Sequence, residues 1–120
     1  MARILVVDDS PSTRATLVDL LEFHGHEVVG EAADGRACLE LSRQTRPDLI
    51  LLDLSMPESD GFFALEQMRE EGIDVAVLAI TALSSSDRHR QAIDLGARAV
   101  VLKPYEIDEL MEQIDASLKS

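Results

Sequence analysis

Four short apolar stretches, at residues 4–7, 49–52, 75–80 and 100–102, constrain this chain more than any other feature. Each is too short for a helix of its own and too continuous for a half-exposed strand, so each reads as a parallel strand covered on both faces. A weaker fifth strand spans 27–32, bounded by Gly25 before it and Asp34-Gly35 after it. The segments between have helical spacing, clearest in the last, where Ile107, Leu110, Met111, Ile114 and Leu118 mark one apolar stripe. Ser10 and Pro11 suit the cap and first position of the first helix, whose Leu17, Leu20 and Leu21 fall at helical spacing. Asp60-Gly61 opens the third helix, residues 84–87 supply caps for the fourth, and Gly72 and Gly96 lie where helices should stop. Strict alternation of strand and helix predicts an α/β fold: a five-stranded parallel sheet with helices on both faces, joined by right-handed crossovers.

With 120 residues, 46% of them hydrophobic, the chain fits a single domain over residues 1–120 and leaves no room for a second. A formal net charge of −12 argues against direct nucleic-acid binding, which needs clustered Lys and Arg. Such acidity favours solubility and basic protein partners, and it equally fits plain solvation of helix faces. Cys38 is the single cysteine and cannot form an internal disulfide, which suits a reducing compartment. Beside Leu39 and Leu41 it reads as a small buried side chain rather than a reactive thiol. No targeting segment precedes the first strand, and no apolar run approaches the roughly 18 residues of a membrane span. The expectation is a soluble, cytoplasmic protein with no membrane contact.

Five polar residues fall just beyond the four strong runs: Asp8 and Asp9, Asp53, Thr81 and Lys103. Ligands of open parallel sheets bind beyond the carboxyl ends of the strands, near the point where strand order reverses, so these positions carry the chemistry. Three carboxylates brought together repel one another unless a pKa rises or a cation binds, and a hard divalent metal is the natural answer. Singly the residues say little. Asp8-Asp9 also fits a helix N-terminus, where negative charge gains about 0.3–1 kcal/mol. Asp53 fits a loop acid, and β-branched Thr81 needs no functional reason to end a strand. Lys103 is more specific, because Pro104 restricts its backbone to extended conformations. The joint occurrence of all five, in this order, is what separates a site from coincidence.

At Val7-Asp8-Asp9-Ser10, Asp53 with Met56-Pro57 and Asp60-Gly61, Thr81-Ala82 and Lys103-Pro104, the chain resembles the receiver domain of two-component response regulators, of the chemotaxis-regulator kind. The resemblance covers nearly the whole sequence. It implies a flavodoxin-like, doubly wound sheet of strand order 2-1-3-4-5. It also implies a phosphorylation-dependent signalling switch in which Asp53 is the phosphoacceptor, taking a phosphoryl group from a phosphohistidine. Asp8, Asp9, Asp53 and the backbone carbonyl of Ser55 are then the Mg²⁺ ligands, with Asp8 acting partly through water. Lys103 pairs with a phosphoryl oxygen and Thr81 donates a hydroxyl hydrogen bond to another. Ser55 and Leu83 occupy the two positions that tune the lifetime of the aspartyl phosphate. The implied partners are a sensor histidine kinase or phosphotransfer protein and a downstream effector, bound through the fourth helix, fifth strand and fifth helix of a monomer. The protein is then no enzyme toward other substrates and catalyses only its own phosphorylation and dephosphorylation.

Many members of that family couple the threonine to an aromatic residue three positions before the lysine; here that position is Val100, which departs from the pattern. Tyr105, two positions after Lys103, reads as a packing residue at a helix start. His24, His26 and His89 lack metal-ligand spacing, and the phosphohistidine belongs to the kinase partner. A phosphatase of the haloacid-dehalogenase type shares the residue types, but it carries a D-x-D motif after the first strand, which is missing after Val7. A flavodoxin-like cofactor module needs a loop rich in Gly, Ser or Thr that binds the cofactor's phosphate, a group that Asp8-Asp9 would repel. The chain fits either a stand-alone receiver or a piece of a longer regulator.

Overall fold

The computed structural model describes residues 1–57 and 59–119. Five strands, β1 (Arg3–Val7), β2 (Glu27–Ala32), β3 (Leu49–Asp53), β4 (Ala76–Thr81) and β5 (Ala99–Leu102), alternate with α1 (Pro11–Phe23), α2 (Gly35–Thr45), α3 (Gly61–Glu71), α4 (Ser86–Asp94) and α5 (Ile107–Lys119). All strand pairings are parallel, in the order β2-β1-β3-β4-β5, as the resemblance implies. Strand order therefore reverses between β1 and β3, which pair with Val7 opposite Leu52.

Successive strand side chains point to opposite faces, and the apolar runs feed two cores. Ile4, Val6, Leu49, Leu51 and Leu78 pack with Leu17 and Leu21 of α1 and Leu110 and Ile114 of α5. Leu5, Val7, Ile50, Leu52 and Val77 pack with Cys38 and Leu39 of α2, Leu65 and Met68 of α3 and Ala92 of α4. Burial raises the pKa of the Cys38 thiol to about 11, partly opposed by its contact with Ser42, so this side chain is a core residue and not a nucleophile. None of the described helices is long and apolar enough to cross a membrane.

Helix caps follow the sequence closely. The side chains of Ser10, Asp60 and Ser85 accept hydrogen bonds from the backbone N–H of Thr13, Phe63 and Arg88, and Asp34 does the same for Ala37 at the start of α2. Gly72 ends α3 in the left-handed region, and Gly96 follows α4 with a positive φ.

Three expectations need correction. Coverage on both faces holds for β1, β3 and β4 but not for β5, an edge strand whose Leu102 is 43% exposed. Ile107, the first residue of the α5 stripe, is 51% exposed, because the opening turn of the helix runs beyond the apolar face that the following turns bury. The strand boundaries also shift by a residue: Asp53 and Thr81 are the last members of β3 and β4, paired opposite Ile80 and Leu102, instead of following those strands.

Gly61 fixes how α3 leaves the end of β3. A Cβ at this position would lie 2.5 Å from the Asp53 carbonyl oxygen and 2.8 Å from Leu54 Cα, both backbone atoms that cannot step aside. Gly61→Ala is expected to destabilise the fold by about 1–3 kcal/mol through overpacking, read as a lower urea midpoint at an unchanged m-value.

Candidate functional site

The loop after β1 and the ends of β3, β4 and β5 converge at one edge of the sheet. There Asp8, Asp9 and Asp53 each offer a carboxylate oxygen within 4.8 Å of the others. Asp8 and Asp53 are buried and Asp9 is exposed, so the cluster opens to solvent on the Asp9 side. Both oxygens of Asp8 are engaged: Oδ1 accepts from the Ser10 N–H at 2.9 Å, and Oδ2 lies 2.9 Å from Lys103 Nζ. Arg14, a contact no spacing in the sequence signals, donates from Nη1 to the Asp8 carbonyl at 2.6 Å and braces the backbone from α1.

Asp53 is held differently. Its Oδ1 accepts from the Ser55 N–H at 3.0 Å, while Oδ2 lies 3.8 Å from Lys103 Nζ, outside hydrogen-bond range. Lys103 is thus tied to Asp8 and only near Asp53, leaving Oδ2 as the less committed oxygen. Burial pushes the Asp53 carboxyl above the usual carboxylate range; the Ser55 N–H and the Lys103 charge oppose this, and the charges of Asp8 and Asp9 add to it. Burial by itself lowers the Lys103 pKa, but the hydrogen bond to Asp8 and the charges of Asp53 and Asp8 outweigh it and hold the ammonium above its ordinary value.

Thr81 is fully buried, and its Oγ1 accepts from the Leu83 N–H at 2.9 Å, which leaves the hydroxyl hydrogen for another acceptor. The Lys103 N–H donates to the Thr81 carbonyl at 2.7 Å and locks the two strand ends in register. Ser55 is exposed at the rim, whereas the Leu83 side chain packs against the core under α2 to α4. Val100 is partly buried against that same core, and Tyr105 packs against the α1 and α5 side, where burial raises its pKa. His89, marked in the sequence only by its lack of metal-ligand spacing, has Nε2 2.6 Å from the Leu83 carbonyl.

Three carboxylates against one ammonium leave the cluster with an excess of negative charge and oxygen-only donors. That set suits a hard divalent cation such as Mg²⁺, with room for water ligands on the exposed side. The arrangement also offers one carboxylate oxygen not committed to a hydrogen bond, with a lysine beside it.

The model of the response regulator receiver domain family matches residues 4–115. The chain is 34% identical over 116 residues to the chemotaxis protein CheY of Bacillus subtilis, covering 97% of each chain. It is also 34% identical over 116 residues to the transcriptional regulatory protein PdtaR of Mycobacterium tuberculosis, with 97% of this chain matched but only 56% of PdtaR, so it spans little more than half the length of that relative. A crystal structure of a two-component response regulator of the LuxR family from Aurantimonas sp. SI85-9A1 superposes with a TM-score of 0.92 at 34% identity, covering 98% of this chain and 85% of that one. Sheet order, the acidic cluster at the strand ends and these likenesses agree, and the chain belongs to the response regulator receiver domain family.

Proposed function

We propose that residues 1–120 form a single receiver domain that switches its protein-binding surface when Asp53 carries a phosphoryl group. The observation that supports this most directly is the pair of unequal Asp53 oxygens, Oδ1 bound by the Ser55 N–H and Oδ2 beside Lys103 without a hydrogen bond to it. Oδ2 attacks the phosphorus of a phosphohistidine on a sensor kinase or phosphotransfer protein; the new O–P bond forms as the N–P bond breaks, and the imidazole leaves with the electron pair. Lys103 moves from Asp8 to a phosphoryl oxygen, and the free Thr81 hydroxyl hydrogen is donated to another. Bound at Asp8, Asp9, Asp53 and the Ser55 carbonyl, Mg²⁺ supplies positive charge that offsets the charge gathering on the transferred group. The exposed Leu102 and Ile107, with α4 nearby, form the surface offered to an effector, and the domain works as a cytoplasmic monomer without contacting nucleic acid or membrane.

The decisive experiment is phosphorylation by acetyl phosphate with Mg²⁺. Intact mass should rise by one phosphoryl group that is stable in acid and labile in base, and Asp53→Asn should take none; undiminished labelling of that variant would sink the assignment. Lys103→Ala and Thr81→Ala should still accept the group, more slowly.

The charge excess predicts the metal response. Because the folded pKa of Asp53 is raised, the folded state binds more protons than the unfolded state between the two values, so stability falls as pH rises through that window. In metal-free buffer at neutral pH, Asp53→Asn should therefore melt above wild type. Mg²⁺ at ten times its Kd should stabilise wild type by about 1.4 kcal/mol, or roughly 4–8 °C for a domain of this order of size. Asp9→Ala should lose most of that gain, and an unchanged Mg²⁺ titration would exclude Asp9 as a ligand.

Signal lifetime depends on how well water is oriented in line with the phosphorus. The short Ser55 side chain lies at the exposed rim and apolar Leu83 packs on the core, so neither orients water firmly. Ser55→Asn is expected to shorten the half-life of the aspartyl phosphate in a phosphate-release assay, with Mg²⁺ affinity little changed; an equal or longer half-life would remove Ser55 from a tuning role.

A further inference from the structure

The fourth helix is thinly held. Ala92 is its single buried residue, and the other eight positions of Ser86–Asp94 are polar, partly buried or exposed. Two side chains tether its opening turns instead. Arg88 sets its guanidinium 4.9 Å from the centre of the Phe62 ring on α3, a cation–π contact. His89 reaches back to the loop between β4 and α4, its Nε2 2.6 Å from the Leu83 carbonyl oxygen. A carbonyl only accepts, so Nε2 carries the proton and donates it.

Leu83 is also the residue whose N–H donates to Thr81 Oγ1. A continuous chain of bonds thus runs from the Thr81 hydroxyl, through the backbone of Leu83, to an imidazole on α4. Thr81 can hold Leu83 through an oxygen lone pair and donate its own hydrogen elsewhere at the same time. Val100, where many receivers carry an aromatic ring, is a short branched side chain set against the core and supplies no ring to follow the threonine.

We propose that His89 is the positioning residue that couples Thr81 to α4 in this receiver, through its hydrogen bond to the Leu83 carbonyl. The inference rests on the phosphoacceptor reading above. Movement of Thr81 toward a phosphoryl group on Asp53 carries Leu83 with it, and the imidazole transmits that displacement to the first turns of α4. A helix with one buried residue has little packing to resist, so a single well-formed hydrogen bond biases its position.

The test compares wild type, His89→Ala and His89→Gln as full-length ¹⁵N-labelled chains. Amide shifts over residues 86–94 are measured with Mg²⁺ alone and with Mg²⁺ plus beryllofluoride, a mimic of the phosphoryl group. Acetyl phosphate labelling is followed in parallel by intact mass. His89→Ala should accept one phosphoryl group as wild type does and keep the Leu83 response, while the α4 response falls about fivefold or more. His89→Gln, whose side-chain N–H can reach the same carbonyl, should restore most of it. An α4 response in His89→Ala equal to wild type overturns the coupling alone, and so does a glutamine variant no better than alanine. Wild type that takes no phosphoryl group on Asp53 overturns the phosphoacceptor reading and this coupling with it.

Discussion

Everything at the functional edge depends on the burial of three central strands. Ile4, Leu5, Leu49, Ile50 and Leu78 are completely removed from water, and their packing on two helical layers fixes where β1, β3 and β4 end. Asp8 and Asp53 sit at those ends and are carried into a partly dry environment that they would not choose as charged groups. The hydrophobic core therefore sustains an electrostatic conflict, visible in the raised pKa of Asp53 and only partly relieved by Lys103. Such conflicts persist only where the surrounding structure over-determines them, and here they coincide with the residues proposed for chemistry.

That conflict was legible in the sequence because each carboxylate adjoins an unbroken apolar run, and such a run dictates strand, burial and the position of its end together. The central strands, the caps at Ser10 and Asp60, the capping stretch 84–87 and the stops at Gly72 and Gly96 were readable for the same reason: their causes are local. What was hidden is tertiary. An apolar stripe records which side of α5 faces inward but not how far the sheet extends beneath it, so Ile107 looked like core and is half exposed. Helical spacing shows that Asp60-Gly61 opens α3 but not that the glycine rests on the Asp53 carbonyl. The contacts of Arg14 with the Asp8 carbonyl and of His89 with the Leu83 carbonyl involve backbone acceptors, which every residue has and no sequence pattern marks.

The two halves of the sheet differ in how firmly their helices are seated. On α3, Phe62, Ala64, Leu65 and Met68 are all buried, and Gly61 abuts β3, so the strand that ends in Asp53 is backed by a stiff layer. Beside it α4 has one buried residue and rests on β5, whose Leu102 faces solvent. A rigid reaction centre next to a loosely seated helix is the combination a switch requires, since chemistry needs fixed geometry and signalling needs an element with more than one accessible position.

The Lys103–Asp8 pair joins residues 95 positions apart, the first strand to the segment after the last. A contact of such long range closes a large loop, and the entropy it costs is recovered only when the intervening elements pack. A chain still emerging, or one that has lost its final strand, has its carboxylates but not the lysine that completes the constellation. Partial neutralisation of Asp8 and Asp53 by Lys103 is in this way a mark of a completed sheet, and the negative charge gathered at the strand ends is greatest in a chain that has not finished folding.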